Sequence, residues 1–281
     1  MTWEPSPREV ERRAVRRSLR TRSIVVATTA VIVVFGLLAL GITSSPGWPT
    51  IKATFFDADH AREAFPAILE GFWLNVKMFL IAEPLILVLA LAVALARQAR
   101  VPWLVPVRVL AVLYTDVFRG IPTILLVVLF AFGMPVLGLQ GIPQSPFFWA
   151  TVALVLSYGA YVAEVFRSGI ESIHPSQIAS AEALGLGRGQ TMRYVVVPQA
   201  VRRVIPPLLN DFVSLQKDTA LVSSVAVFDA MFAARDYANY NFDYTPYVVV
   251  ACFFVIITVP LARLCDWLAG RIARRERAGV R

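Results

Sequence analysis

Long apolar runs alternate with polar segments along this chain, and the pattern predicts a protein whose helices cross a membrane. The first run, from Ile24 to Ile42, contains no charged residue over nineteen positions. That length is close to the ~20 apolar residues that a helix needs to cross a bilayer. Further spans are predicted at about 72–96, 105–132, 147–166, 205–234 and 246–268, and the one at 205–234 is interrupted by Lys217 and Asp218. We therefore expect an all-α, polytopic membrane protein with about six transmembrane helices.

The composition is also typical of a membrane protein, and the positions of the charged residues suggest why the net charge is positive. Hydrophobic residues make up 57% of the chain and charged residues only 16%, below the roughly 25% that is typical of soluble domains. The net charge of +8 comes largely from arginines at the two ends and beside the spans. No basic patch lies on a foldable soluble domain, so orientation in the membrane explains this charge better than nucleic-acid binding does.

The positions of the arginines predict which segments face the cytoplasm. Seven arginines lie in residues 1–23, five in residues 167–204 and five in residues 271–281. By the positive-inside rule, these three segments and both termini are predicted to be cytoplasmic. Residues 1–23 are predicted to be a disordered basic arm, and residues 270–281 a basic tail. The run 24–42 exceeds the 7–15 apolar residues of a secretory signal and is predicted to be a retained span.

One cytoplasmic stretch, residues 171–198, has local structure of its own. Pro175 suits the first turn of a helix, and Gly185 suits a left-handed helix stop. Gly187 then permits a bend before a second short helix that is predicted to end near Pro198. Loops between membrane helices usually contain only a few residues. We therefore predict a docking elbow, the alternative being an ordinary loop between spans.

This stretch resembles the EAA loop of ABC-transporter permeases, whose pattern is E-A-A-x-x-x-G-x9-I-x-L-P. Gly185 is followed, after nine residues, by V-x-V-P at 195–198. At the E-A-A positions stand Ala179, Ser180 and Ala181, so the signature glutamate is missing. Glu182 lies on nearly the same helix face and is the candidate replacement. The apolar contacts of the motif are assigned to the valines at 195 and 197.

Several further segments narrow the resemblance to the polar amino-acid permease family. They are GFWLNVKMFLIA (71–82), DVFRGIPTILLV (116–127), SYGAYVAEVFRSGI (157–170), VPQAVRRVIPPLLN (197–210) and SLQKDTALVSS (214–224). Asn75 stands where that family usually has threonine. The resemblance covers about residues 66–269, which include five of the six predicted spans. The first span and the basic arm lie outside it.

The resemblance implies a membrane subunit of the bacterial inner membrane that acts with several partners. They are a dimer of cytoplasmic ABC ATPases, a second permease chain, an extracytoplasmic solute-binding protein, a small-molecule substrate and the surrounding lipid. The residues implied in ATPase coupling are Ala179, Glu182, Gly185, Gly187 and Pro198. The chain itself has no G-x-x-x-x-G-K-[ST] loop to hold phosphates. We therefore expect no enzyme activity, cofactor or catalytic residue in this chain.

No metal site is expected either. Neither the two cysteines nor the two histidines have the spacing of a metal site.

Charged and polar residues at membrane depth are costly, and they are the candidates for the pathway or its gate. These candidates are Glu83, Arg119, Glu164, Asp211, Lys217, Asp218 and Thr219. Several alternatives stay open for them. Glu164 has Arg167 as a partner on its own helix, while Lys217 and Asp218 either pair together or face the pathway. Arg119 either shapes a bend in the third span or reaches a carboxylate on a neighbouring helix. Glu83 meets either a substrate ammonium or a hydrogen-bond donor on another helix.

The predicted function is import of polar amino acids by an ATP-driven, binding-protein-dependent system. One alternative is the same architecture carrying another small polar solute, such as an opine. Another is a secondary transporter or channel that needs no ATPase. The elbow, together with the lack of inverted halves in the sequence, argues against that alternative. The sequence does not name the substrate.

Overall fold

The structure is a computed structural model that describes residues 6–98, 101–138 and 140–278. All regular secondary structure in these residues is helical. The chain divides into two compact units, Met1–Phe56 and Asp57–Arg281.

The first unit contains two helices, α1 (Pro7–Thr43) and α2 (Trp48–Phe55). The prediction of a disordered basic arm was wrong for residues 7–23, because α1 runs without interruption from this arm into the apolar run. The reason is local, since arginine, glutamate, alanine and leucine are strong helix formers. Proline is tolerated in a first helical turn, and Pro7 occupies that position here.

Among its described residues, the second unit contains nine α-helices and three short segments of other helical types. The α-helices are α3 (Ala58–Gln98), α4 (Val105–Gly120), α5 (Thr123–Val136), α6 (Pro146–Glu171), α7 (Pro175–Ala183), α8 (Arg188–Thr191), α9 (Val197–Asp218), α10 (Ala230–Asn241) and α11 (Thr245–Ala278). Two of the short segments are 3₁₀-helices, at Pro102–Leu104 and Thr219–Val225, and one is a π-helix at Met192–Val196.

The core of this unit lies where α3 and α6 pack together and α5 packs against α6. Its fully buried residues include Met78 and Ile86 on α3, Leu154 on α6 and Val127 on α5. Alanines at 82, 90, 150, 153 and 163 are also fully buried. Small side chains let membrane helices approach closely, where van der Waals contact stabilises them. This packing forms the frame to which the polar residues are attached.

The predicted third span, 105–132, is broken rather than straight. α4 and α5 meet at an angle of 104°, and Ile121 between them has extended backbone angles. Proline disfavours the helical conformation at the residue before it, and Pro122 has that effect on Ile121. The bend that the R-G-x-P sequence suggested is therefore present, and the predicted third span consists of two helices.

Four helices among the described residues are long and apolar enough to cross a membrane, or five if the bent pair counts as one span. The segment predicted at 205–234 is not among them. Its first part belongs to α9, which carries Arg202, Arg203, Asp211 and Lys217, and it turns away at Thr219–Val225 before α10 begins. The segment is thus interrupted after Asp218, at the place where the sequence predicted an interruption. α9 has one polar and one apolar face.

Candidate functional site

The elbow predicted at 171–198 is present as α7, a tight turn and α8. His174 caps the start of α7, where its Nδ1 accepts a hydrogen bond from the Ser176 N–H. Gly185 ends the helix with a φ of +82°. The Gly185 N–H donates to the Glu182 carbonyl, and the Leu186 N–H donates to the Ala181 carbonyl. This pair of bonds is the Schellman motif, so the predicted left-handed stop at Gly185 is confirmed.

The second helical piece does not end at Pro198. The Val197 N–H donates to the Met192 carbonyl, a bond that spans five residues and defines a π-helical turn. Pro198 then lies in the first turn of α9, directly after the π-helical turn. The chain is thus helical from Arg188 to Asp218, and the predicted helix end near Pro198 was wrong. This continuity connects the elbow directly to the polar helix α9.

Val196, the last residue of the π-helical turn, and Val197, the first residue of α9, differ in burial. Val196 is 2% exposed, whereas Val197 is 42% exposed. Of the two valines assigned to the motif's apolar contacts, Val195 is half-buried and Val197 is exposed in this chain. A wider turn rotates the following side chains relative to α-helical spacing, which sequence spacing alone does not reveal.

The elbow also has buried residues, and α7 packs against α8 and the π-helical turn. Ala181 on α7 and Thr191 on α8 are 4% and 3% exposed, and Ile173 before α7 is 3% exposed. At the base of the elbow, the Arg203 guanidinium of α9 donates to the Ser172 carbonyl. This bond joins α9 to the end of α6, where the elbow begins.

The five predicted coupling residues all lie on the surface of this region. Ala179, Glu182, Gly185, Gly187 and Pro198 are exposed. The first four belong to α7 and the turn after it, and Pro198 begins α9. Leu184, which the sequence did not single out, is 83% exposed at the same turn. The elbow therefore has a buried inner side and an exposed outer side.

A second polar group surrounds Glu164, near the end of α6 that leads into the elbow. The Glu164 carboxylate accepts from Arg97 of α3 at 2.8 Å and lies 3.6 Å from the Arg119 guanidinium of α4. It also pairs with Arg167 on its own helix. Arg97 further donates to the Thr115 hydroxyl at 3.0 Å. One carboxylate therefore connects three helices.

This cluster decides two alternatives that the sequence left open. Glu164 pairs with Arg167, as one alternative proposed, and also with two arginines from other helices. Arg119 both precedes the bend and reaches a carboxylate on a neighbouring helix. Arg97 was missed as a partner because it lies 67 positions from Glu164. A charge at the end of an apolar run was the only signal for it.

A third polar group lies where α9 packs against α3 and α6. Tyr158 of α6 donates its hydroxyl hydrogen to Asp218 at 2.7 Å. Asp211 is half-buried, and its Oδ2 is buried without a hydrogen-bond partner. The Glu83 carboxylate of α3 is close enough to Asp211 for the two like charges to repel each other. Acidic side chains from two helices thus share one region of the structure.

The remaining pathway candidates lie at the end of α9. Lys217 is exposed and forms no ion pair with Asp218, so of the two open alternatives their mutual pairing is excluded. Thr219 is fully buried, and its hydroxyl donates to the Gln216 carbonyl at 2.8 Å.

One buried polar contact was not recognised from the sequence. The Asn75 amide of α3 donates to the Asp229 carboxylate at 3.0 Å, and its Oδ1 accepts from the Ala230 N–H. Both side chains are almost fully buried. Asn75 had been noted only as a departure from threonine.

A model of a known protein family matches the part of the chain that contains these features. The model of the binding-protein-dependent transport system inner membrane component matches residues 86–274, which include the elbow, Glu164 and all of α9. The chain belongs to this family. As a permease subunit, it is a membrane component without catalytic activity of its own.

Individual relatives agree with this membership. The chain is 32% identical over 211 residues to a probable glutamine ABC transporter permease of Bacillus subtilis (strain 168), covering 75% of this chain and 95% of that protein. It is 31% identical over 196 residues to the arginine transport system permease ArtQ of the same organism, covering 69% and 87%.

Solved structures agree on the fold. A crystal structure of an amino acid ABC transporter with histidines matches with a TM-score of 0.70 and 28% identity, covering 76% of this chain and 98% of that one. An inward-facing MetNI methionine ABC transporter matches with a TM-score of 0.60 and 18% identity, covering 74% and 97%. The second similarity concerns the fold alone.

Proposed function

We propose that this permease is the membrane subunit of an ATP-driven, binding-protein-dependent importer of polar amino acids. It lies in the bacterial inner membrane with both termini in the cytoplasm. The substrate class is supported by the names of its relatives, which are permeases for glutamine and arginine. The observation that carries the ATP-driven mechanism is the elbow, with its buried inner side and exposed outer side.

The elbow is the proposed docking site for a separate cytoplasmic ATPase dimer. Glu182 and Gly185 are assigned to the contact, with Ala179, Gly187 and Pro198 around it, because all five are exposed. Movement of the ATPases is transmitted along a continuous helical path from Arg188 into α9. The bond from Arg203 to the Ser172 carbonyl attaches α9 to the end of α6 at the base of the elbow. This connection lets a motion at the ATPase reach the pathway instead of being lost in a flexible loop.

The pathway is proposed to follow the polar face of α9. Asp211 offers a buried carboxylate oxygen that no described donor satisfies, and Glu83 lies close enough to interact with it. Two carboxylates in a partly dry region suit a cationic group such as the ammonium of an amino acid. Asp218 and Thr219 continue this face towards the end of the helix. Glu164 and Arg119 are proposed to act as a gate rather than as a contact for the substrate.

A second permease chain, identical or homologous, is proposed to complete the pathway. Arg119 has a side-chain exposure of 39%, and Lys217 is exposed as well. Charges facing lipid at membrane depth are costly, so a protein partner covers them more favourably than lipid does. The solute-binding protein would meet the opposite, extracytoplasmic face. Lipid would contact the apolar exposed surfaces of the spans.

Reconstitution of the complex tests this proposal. The chain is co-expressed with the ATPase and the binding protein of its transport system, and uptake of radiolabelled amino acids into proteoliposomes is measured with ATP inside. We expect uptake of one or more polar amino acids that requires both ATP and the binding protein. An ATPase whose phosphate-binding lysine is replaced serves as the matched control.

Two results would contradict the proposal. One is the failure of any ATPase to co-purify with the tagged chain. The other is full uptake in a Gly185→Asp variant. Uptake of a different small polar solute, with the same dependence on ATP, would retain the mechanism and replace only the substrate class.

A further inference from the structure

A cavity of about 760 Å³ lies between the elbow and the nearby ends of α3, α4 and α6. The polar side chains around it include Gln98 of α3, Arg108 of α4, Glu182 of α7 and Arg188 of α8. The residues around it do not include Asp211, Lys217 or Asp218, the pathway candidates on α9.

The charges that border this cavity do not cancel. Arg97 is paired with Glu164, and Glu171 is paired with Arg167. The structure gives neither Arg108 nor Arg188 an ion pair or hydrogen bond with any described residue, and only Glu182 opposes them. The cavity therefore has an excess of positive charge.

The cavity also contains a hydrogen-bond donor that has no acceptor in the described part of the chain. The Nε2 of Gln98 is buried and has no hydrogen-bond partner among the described residues. Leaving a buried amide donor unpaired costs about 1–3 kcal/mol. An anion in the cavity would accept from this donor and also neutralise the arginines. The amide and the arginines come from three different elements.

The surroundings place the cavity at a membrane–water boundary. Part of its wall is apolar, from Ile170, Ile173, Ile178, Met192 and Val196. Trp103 is 76% exposed in the turn that leads into α4, the helix that carries Arg108. Exposed tryptophans are enriched at the level of lipid headgroups. Basic pockets between the cytoplasmic ends of membrane helices suit anionic headgroups.

We propose that this cavity binds a phosphate group, held by Arg108, Arg188 and the Gln98 amide. Guanidinium groups fit phosphate oxygens in a two-point geometry, which favours phosphate over a spherical anion. The bound phosphate connects α3, α4 and the elbow through one ligand. Its source is either an anionic lipid headgroup at the inner surface of the membrane or free phosphate in the cytoplasm.

Gly189 offers a test with little risk to folding. It borders the cavity, and a Cβ at this position would meet no atom within 4 Å. Gly189→Glu places a carboxylate beside the arginines, whereas Gly189→Gln adds a neutral side chain of almost the same size. The difference between the two variants therefore reports charge rather than volume.

The full-length chain is purified in detergent, and its thermal unfolding is followed in two series. One series adds dioleoylphosphatidylglycerol, with dioleoylphosphatidylcholine as the reference lipid. The other adds inorganic phosphate, with chloride at the same ionic strength as the reference. We expect an anion-dependent rise in the unfolding midpoint for the wild type and for Gly189→Gln. The apparent affinity should fall roughly tenfold or more in Gly189→Glu, the loss expected for one hydrogen bond to a charged group.

A second pair of variants checks the assignment of the arginines. Arg108→Gln should weaken the response as Gly189→Glu does, while Arg271→Gln, which removes an exposed charge outside the cavity, should retain it. A response to the lipid alone identifies the headgroup as the source, and a response to inorganic phosphate alone identifies the free ion. The proposal is overturned if the wild type responds to neither anion. Equal affinities in Gly189→Glu and Gly189→Gln would also overturn it.

Discussion

Gly169 on α6 and Val204 on α9 approach so closely that a Cβ at position 169 would lie 2.1 Å from the Val204 Cγ1. Only glycine leaves room for this contact. It lies at the base of the elbow, near the bond from Arg203 to the Ser172 carbonyl. The position of α9 relative to α6 therefore depends on the absence of one methyl group.

A Gly169→Ala substitution should displace α9 and destabilise the chain. Overpacking a closely packed interior costs about 1–3 kcal/mol, which should lower the thermal unfolding midpoint of the purified chain. The double variant Gly169→Ala/Val204→Ala should recover part of this loss, because it removes the clashing methyl group. Equal midpoints for Gly169→Ala and the wild type would show that the two helices do not pack as described.

Asn75→Leu should destabilise the contact between α3 and the start of α10. The substitution leaves the Asp229 carboxylate, which is 0% exposed, without its amide donor. A buried polar group without a partner costs about 1–3 kcal/mol, and more when it is charged. Thermal unfolding measures this loss. Asn239→Leu, at an exposed position on α10, should leave the midpoint almost unchanged, and an equal loss in both variants would contradict the assignment.

Glu164→Gln should weaken the connection between α3, α4 and α6. It leaves Arg97, whose side chain is only 14% exposed, without a carboxylate, at a cost on the order of 1–3 kcal/mol. Glu171→Gln is the matched control, since it breaks only an exposed pair with Arg167. Such surface pairs contribute about 0–1 kcal/mol. The unfolding midpoint should therefore be lower for Glu164→Gln than for Glu171→Gln. Identical midpoints would show that Glu164 does not stabilise the connection between these helices.

Tyr158→Phe should reduce uptake while the complex still assembles. The substitution deletes the hydroxyl that donates to Asp218, a bond to a charged group worth about 1.5–3 kcal/mol. We expect roughly tenfold slower transport in proteoliposomes. Tyr161→Phe is the control, because that hydroxyl bonds only a backbone carbonyl at an exposed position. Unchanged uptake in Tyr158→Phe would exclude Asp218 and its partner from the transport step.

Local signals in the sequence predicted local structure well. Pro175 and Gly185 predicted the start and the stop of α7, and the sequence around Pro122 predicted a bend. These features depend on backbone preferences of single residues. The π-helical turn before Pro198 was missed because the sequence pattern does not show a single helical turn that is one residue longer.

Contacts between distant residues were not predictable in the same way. Glu164 had Arg167 as an obvious partner three positions away, but Arg97 joins it from another helix. Asn75 and Asp229 are 154 positions apart, and each alone was a polar residue in an apolar setting. These pairs form only when the helices pack against each other. The hydrophobic pattern shows which helix faces are apolar, but it does not show which helices pack together.

Transmission of ATP hydrolysis from the elbow to the pathway is assigned to Glu182. It is tested most directly by the amount of solute transported per ATP hydrolysed, measured in proteoliposomes that contain the complete complex. Glu182→Lys reverses a charge on the exposed side of the elbow, and Asp266→Lys makes the same change at an exposed position on α11. We predict that Glu182→Lys inserts normally and still hydrolyses ATP, but transports little solute per ATP, while Asp266→Lys keeps the wild-type ratio. A wild-type ratio in Glu182→Lys would show that Glu182 does not transmit ATP hydrolysis to the pathway.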